Sequence, residues 1–158
     1  MNYYIDLQHV SSEPLPFTED QIMDWAKGAL NGQTESAELT IRIVDKPEMQ
    51  SLNKTFRGQD KPTNVLAFPA NLPANIALEY PLLGDIIVCP SVLLEESLEQ
   101  HKSLQGHWAH IIIHGILHLL GYDHIKDDDA AIMQELEKKL LSQIGVADPY
   151  EVEDTKIE

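Results

Sequence analysis

The stretch "HGILHLLGYDH", residues 114–124, carries His114, His118 and His124 inside and just beyond an apolar run. His114 and His118 are four residues apart, so on a helix they lie one above the other on one face and both imidazoles can reach one ion. His124 lies too far along a straight helix to join them. Gly121 resolves this: a glycine at a helix end can take the left-handed conformation and turn the chain back toward the first two histidines. Three neutral imidazoles with one open position make a catalytic zinc site, whereas a structural site is closed by four protein ligands. The alternative is a buried helix that happens to hold several histidines. One histidine on an apolar face is ordinarily a core residue; three at this spacing with glycine at the turn point to a metal. A zinc protease places glutamate directly after the first histidine, and here that position is Gly115.

Working outward, the segment from about Ser103 to Leu120 is apolar on most sides, so the spacing predicts a central helix ended by Gly121. His107 and His110 fall on it as well. They are read as partly buried or surface residues, with support of a metal ligand as the alternative. Ahead of it, PSVLLEESLEQ reads as a helix, GDIIVC (84–89) as a strand and TNVLAFP (63–69) as an edge strand flanked by prolines. Residues 70–82 read as a loop. The alternation Leu39, Ile41, Ile43 against Thr40, Arg42 marks a half-buried strand over 38–45, and Pro47 opens a helix ending near Arg57-Gly58. Thr18 with Gln21 forms a capping-box pattern, which predicts a helix over 18–31 with Ile22, Trp25, Ala26 and Leu30 on its apolar face. Residues 3–8 read as a first strand. After the histidines, a helix begins at Asp127 to Asp129, with Ile132, Leu136, Leu140 and Leu141 expected on one face. The fold class expected is α+β: a mixed sheet of about four strands, four to five helices, and a zincin-like metal-binding helix at the centre. Residues 1–150 are expected to form one domain and 151–158 a polar tail.

The chain has 158 residues, enough for one domain with a real core. Neither a secretory leader nor a membrane span is expected, and a cytoplasmic location is the simplest. Cys89 is the only cysteine, which excludes an internal disulfide and a cysteine-rich zinc site; it reads as a small core residue. The net charge of −15 argues at first against nucleic acid. Its distribution matters more. Ten acidic residues against three lysines follow from Asp127 onward, while residues 42–61 hold five basic residues against three acidic ones. The middle of the chain is locally basic.

The three-histidine block, together with "FRGQDKPTNVLAFP" (56–69) and "LLGDIIVCP" (82–90), resembles the YbeY family of bacterial endoribonucleases. The resemblance implies a single zinc-bearing α+β domain, one Zn2+ per chain on His114, His118 and His124, and action on single-stranded RNA. It further implies maturation of the 3′ end of small-subunit 16S rRNA and ribosome quality control, with the ribosome or its associated proteins as partners. Arg57 matches the arginine of the family motif. On chemistry alone Arg57 is either a phosphate clamp, since its guanidinium fork fits phosphate oxygens, or a cap on the negative end of its helix. The resemblance favours the clamp. Lys54 and Lys61 extend the basic track.

Zinc can bring the pKa of a bound water to about 7 and polarise a phosphoryl oxygen. Gly115 speaks against peptide hydrolysis, because cleaving an amide needs the proton shuttle that glutamate provides. Asp123 is the nearest carboxylate in sequence, either a general base, an orienting partner for a ligand histidine, or a turn residue. Asp85 is a weaker candidate. Two other functions stay open: a metal-dependent hydrolase of another bond, and a ribosome-assembly binding module with a mostly structural metal.

Overall fold

The structure is a computed structural model and describes residues 2–70, 82–122 and 127–146. Its elements run β1 (Asn2–His9), α1 (Glu19–Leu30), β2 (Ser36–Ile43), α2 (Lys46–Arg57), β3 (Val65–Pro69), β4 (Leu82–Val88), α3 (Pro90–Glu99), α4 (Leu104–Leu119) and α5 (Asp127–Gln143). This is the α+β architecture expected: one mixed sheet in the order β1-β2-β4-β3. β1, β2 and β4 are parallel, and β3 is antiparallel to β4 at the edge. An edge is where Pro69 can sit without removing a ladder hydrogen bond.

The alternation of β2 has the expected consequence. Leu39, Ile41 and Ile43 are fully buried under the helices, with Ile86 and Val88 of β4 on the same face. Helices α1 and α4 contribute Ile22, Trp25, Trp108, Ile112 and Ile116 to this core. A second, smaller core lies around Met49, Leu66, Ile87 and Cys89, so the cysteine is a packing residue as read. The capping box of α1 is present in both directions: Gln21 N–H donates to Thr18 Oγ1 at 3.1 Å, and Thr18 N–H donates to Gln21 Oε1 at 3.0 Å.

Three boundaries differ by about two residues. β2 stops at Ile43 because Asp45 serves as the N-cap residue of α2, its carboxylate accepting from Ser11 Oγ and Ser12 N–H, both at 3.0 Å. β3 begins at Val65, since Asn64 already turns toward α3, and β4 reaches back to Leu82. The larger correction concerns α5. Ile132 is 58% exposed, and the buried stripe is Met133, Glu137, Leu140 and Leu141, with Leu136 beside it. An apolar count alone favours a face centred on leucine and isoleucine. The actual face is rotated to bring a glutamate inside, and the reason lies in α4. The loop expected within 70–82 lies almost wholly outside the described residues, as does the tail expected at 151–158.

Candidate metal centre and cleft

Ser103 starts α4 by accepting from Gly106 N–H at 3.0 Å, and the helix then runs through the interior with all but a narrow stripe of its surface covered. His114 and His118 occupy that stripe, each half-buried. Their Nε2 atoms stand 3.2 Å apart with the rings nearly perpendicular at 80°. Zinc–nitrogen bonds of about 2.0–2.1 Å in a tetrahedron put two ligand nitrogens about 3.3 Å apart. The pair therefore already has the separation that one ion requires, so these residues fit a metal.

The other nitrogen of His114 fixes its direction. Nδ1 lies 2.6 Å from Glu137 Oε2, and the second oxygen of Glu137 lies 2.9 Å from His110 Nε2. Glu137 is completely buried and His110 nearly so. The ligand-capable atoms of His110, His114 and Glu137 all fall within 4.8 Å of one another, and this His/Glu cluster fits a metal cofactor. Within it, 2.6 Å is the length of a charge-assisted hydrogen bond and is too short for two ligands spread around one tetrahedral ion. An ion shared by His114 and His118 would therefore lie on the Nε2 side of His114, away from Glu137. Nothing in local sequence marks Glu137, which sits in a helical stripe otherwise filled with apolar residues.

The end of α4 is a glycine-terminated turn. Gly121 has φ +104°, its N–H donates to His118 O at 3.0 Å, and Tyr122 N–H donates to Leu117 O at 3.0 Å. This is the paired 5→2 and 6→1 closure that follows a left-handed residue. Tyr122 Oη then donates to Gln33 Oε1 at 2.9 Å, which ties the turn to the chain after α1. His124 and Asp123 lie outside the described residues.

Gly115 has a packing role that sequence did not reveal. It is buried where α4 crosses the sheet, and a Cβ there would lie 3.1 Å from Ile86 Cγ2, 3.2 Å from Ile86 Cδ1 and 3.4 Å from Val65 Cγ2. Close approach of helix and sheet is what sets the histidines beside the edge strand. The absent glutamate is thus as much a matter of space as of proton chemistry.

A cleft of about 710 Å³ opens over the histidine pair. Its walls include Arg57, Lys61, Asn64, Tyr122 and the edge strand β3. Arg57 ends α2, is exposed, and has no hydrogen bond or ion pair among the described residues. The helix end is closed instead by Gly58, whose N–H meets the carbonyls of Asn53 and Lys54. Buried Asn53 pins the following loop by donating from Nδ2 to Lys61 O at 2.8 Å. Lys54 is a different case. It pairs with Asp60 at 3.9 Å and does not line the cleft. Asp85 is also excluded. Ile86 faces α4, so Asp85 alternates to the opposite side of the sheet, where it is exposed.

His107 and His110 are buried rather than superficial. His107 Nε2 lies 2.8 Å from Glu96 Oε1, and the Glu96 carboxylate also accepts from Asn64 Nδ2 at 3.2 and 3.3 Å. Burial alone would raise the Glu96 carboxyl, but the bonds from His107 and Asn64 outweigh it and hold it below its ordinary range. This second chain anchors a cleft residue from behind, as Glu137 anchors His114.

No helix among the described residues is long and apolar enough to cross a membrane. Residues 8–145 match the family model described as Endoribonuclease YbeY. Proteins named Endoribonuclease YbeY from Legionella pneumophila strains Corby and Lens are each 58% identical over 158 residues, covering 100% of this chain and 100% of their own. The solution structure of TM1509 from Thermotoga maritima superposes with a TM-score of 0.61 at 26% identity, covering 95% of this chain and 99% of that one.

Proposed function

Because this chain belongs to the Endoribonuclease YbeY family, we propose that it cuts single-stranded RNA at the cleft above His114 and His118. Its place in the cell would be the cytoplasm, in maturation of the 3′ end of small-subunit rRNA and in ribosome quality control, with the ribosome or associated proteins presenting the substrate. The observation that carries the reading is the pairing, across one cleft, of two imidazole nitrogens at ligand spacing with a guanidinium that has no ion pair among the described residues.

His114, His118 and His124 would hold one Zn2+ per chain. Neutral ligands leave the ion its full charge, which, when bound, supplies Lewis acidity toward a phosphoryl oxygen and acidifies water. The protein's own groups supply the rest. Arg57 offers a planar fork of donors to the two non-bridging oxygens of a phosphodiester and holds it across from the histidines. Lys61 adds positive charge at the same wall. Asn64, gripped by Glu96, presents a fixed edge beside the strand. Asp123 is the candidate to accept or orient a proton. Gly115 brings no carboxylate to the site. An anionic substrate is therefore not repelled there, and the shuttle that amide cleavage demands is absent.

The direct test is to incubate the purified protein, with and without chelator, on an unstructured RNA and on casein. RNA cleavage that stops with chelator while casein stays intact is the expected result. Cleavage of casein would favour a peptide hydrolase. Metal content of one equivalent with neither substrate cut would favour an assembly factor whose metal is structural.

A further inference from the structure

Glu137 is a carboxylate with no exposed surface, in a helix stripe of Met133, Leu140 and Leu141. Burying such a group is costly unless it is fully hydrogen-bonded, so its retention at an interface that an apolar residue would fill asks for a reason. Its two oxygens divide between two imidazoles of α4, His110 Nε2 at 2.9 Å and His114 Nδ1 at 2.6 Å. A carboxylate only accepts, so the ring nitrogens facing it carry the hydrogens. For a neutral His114 this leaves Nε2 bare, and Nε2 is the atom that faces His118 at 3.2 Å.

We propose that Glu137 is a positioning residue that sets the tautomer and ring angle of His114, and that His110 in turn holds the second oxygen of Glu137. The inference rests on the metal reading given above for His114 and His118. The group acts from a different helix, so it also couples the docking of α5 on α4 to the readiness of the metal centre. His110 holds the second oxygen, and so keeps the carboxylate aimed at His114.

The test uses zinc affinity, measured on the full chain by competition with a chromophoric chelator. Glu137→Gln can accept from one ring but points an amide N–H₂ at the other, so one histidine must change tautomer. Loss of such an outer partner costs roughly 10–100-fold in metal affinity, and that is the expected weakening. Glu137→Leu fills the same space without polar groups. It takes the acceptor away from the ring N–H groups of His110 and His114, so it should lower the thermal midpoint and bind zinc weakly. The share of His114 hydrogen on Nδ1, read from ¹⁵N shifts of the metal-free variant, should also fall, which a merely structural glutamate would not produce. Parental affinity in both Glu137→Gln and Glu137→Leu overturns the proposal. His118→Ala is the control for the underlying reading: if it keeps full zinc, the site assignment fails, whatever Glu137 does. Should both Glu137 variants fail to fold, ¹⁵N shifts of His114 in the metal-free parent decide. Hydrogen on Nδ1 supports the proposal, and hydrogen on Nε2 overturns it.

Discussion

Gly115→Ala separates packing from helix propensity with one methyl. On an exposed helix face the change should stabilise by about 1 kcal/mol, because alanine is the better helix former. At this position the new Cβ would stand 3.1 Å from one Ile86 methyl and 3.2 Å from the other, with Val65 at 3.4 Å. Those distances are tighter than ordinary van der Waals contact, and β4 lies beneath them in the centre of the sheet. Overpacking of this kind costs about 1–3 kcal/mol. The balance is a net loss of about 0–2 kcal/mol, opposite in sign to the propensity effect. Ile86→Val removes Cδ1, one of the two close atoms, and alone should cost about 0.5–1.5 kcal/mol. In the double variant part of the clash is relieved, so the two losses should sum to less than additive by at least about 0.5 kcal/mol. Urea unfolding of the four proteins, monitored by tryptophan fluorescence, reads all of this. A Gly115→Ala protein stabilised by the full propensity gain, with additive behaviour toward Ile86→Val, would show that α4 has slack over the sheet. It would also return the absence of glutamate to proton chemistry alone.

A Cβ at Gly121 would meet nothing within 4 Å among the described residues, so the penalty of Gly121→Val is chiefly that of a β-branched residue at φ +104°; about 1–3 kcal/mol of destabilisation with weakened zinc binding is expected, and unchanged values would refute a strained turn. Arg57→Ala should lose roughly 10²-fold in single-turnover RNA cleavage with zinc content unchanged; lysine should recover only part, and full rescue would reduce the role to general charge. Glu96→Gln should flatten the acid limb of thermal stability. The folded carboxyl lies below its ordinary value of 4.5, so its contribution is complete above that value and is lost as pH falls through the lower, folded one. A parent and variant with parallel profiles below pH 4.5 would contradict this.

What could be read in advance followed local rules. The capping box of α1, the period-two burial of β2 and the edge placement of Pro69 each depend on neighbours a few residues away. The i, i+4 pair of His114 and His118 is of the same kind. What escaped depends on pairs far apart in sequence. Gly115 is small because of Ile86 and Val65, and neither contact has a signature near residue 114. Ile132 was expected inside because it is apolar, yet Glu137 takes the interior, since two buried imidazoles compensate a carboxylate and nothing in α5 reveals them. Lys54 and Lys61 look alike in a charge count. Only the turn at Gly58 sends one toward Asp60 and the other into the cleft. Asp85 fails for a simpler reason, a strand parity that is clear once β4 is paired.

The order of the helices along the chain gives α5 a place in time as well as in space. A ribosome making this protein finishes α4, with its histidine pair, before Met133, Glu137, Leu140 and Leu141 exist to cover it. Until then the helix presents an uncovered apolar flank, and His114 lacks the carboxylate that fixes its hydrogen. The nascent chain thus acquires its histidine motif one element before the part that makes the motif rigid. A product that stopped between the two would carry the visible signature of the site without its support.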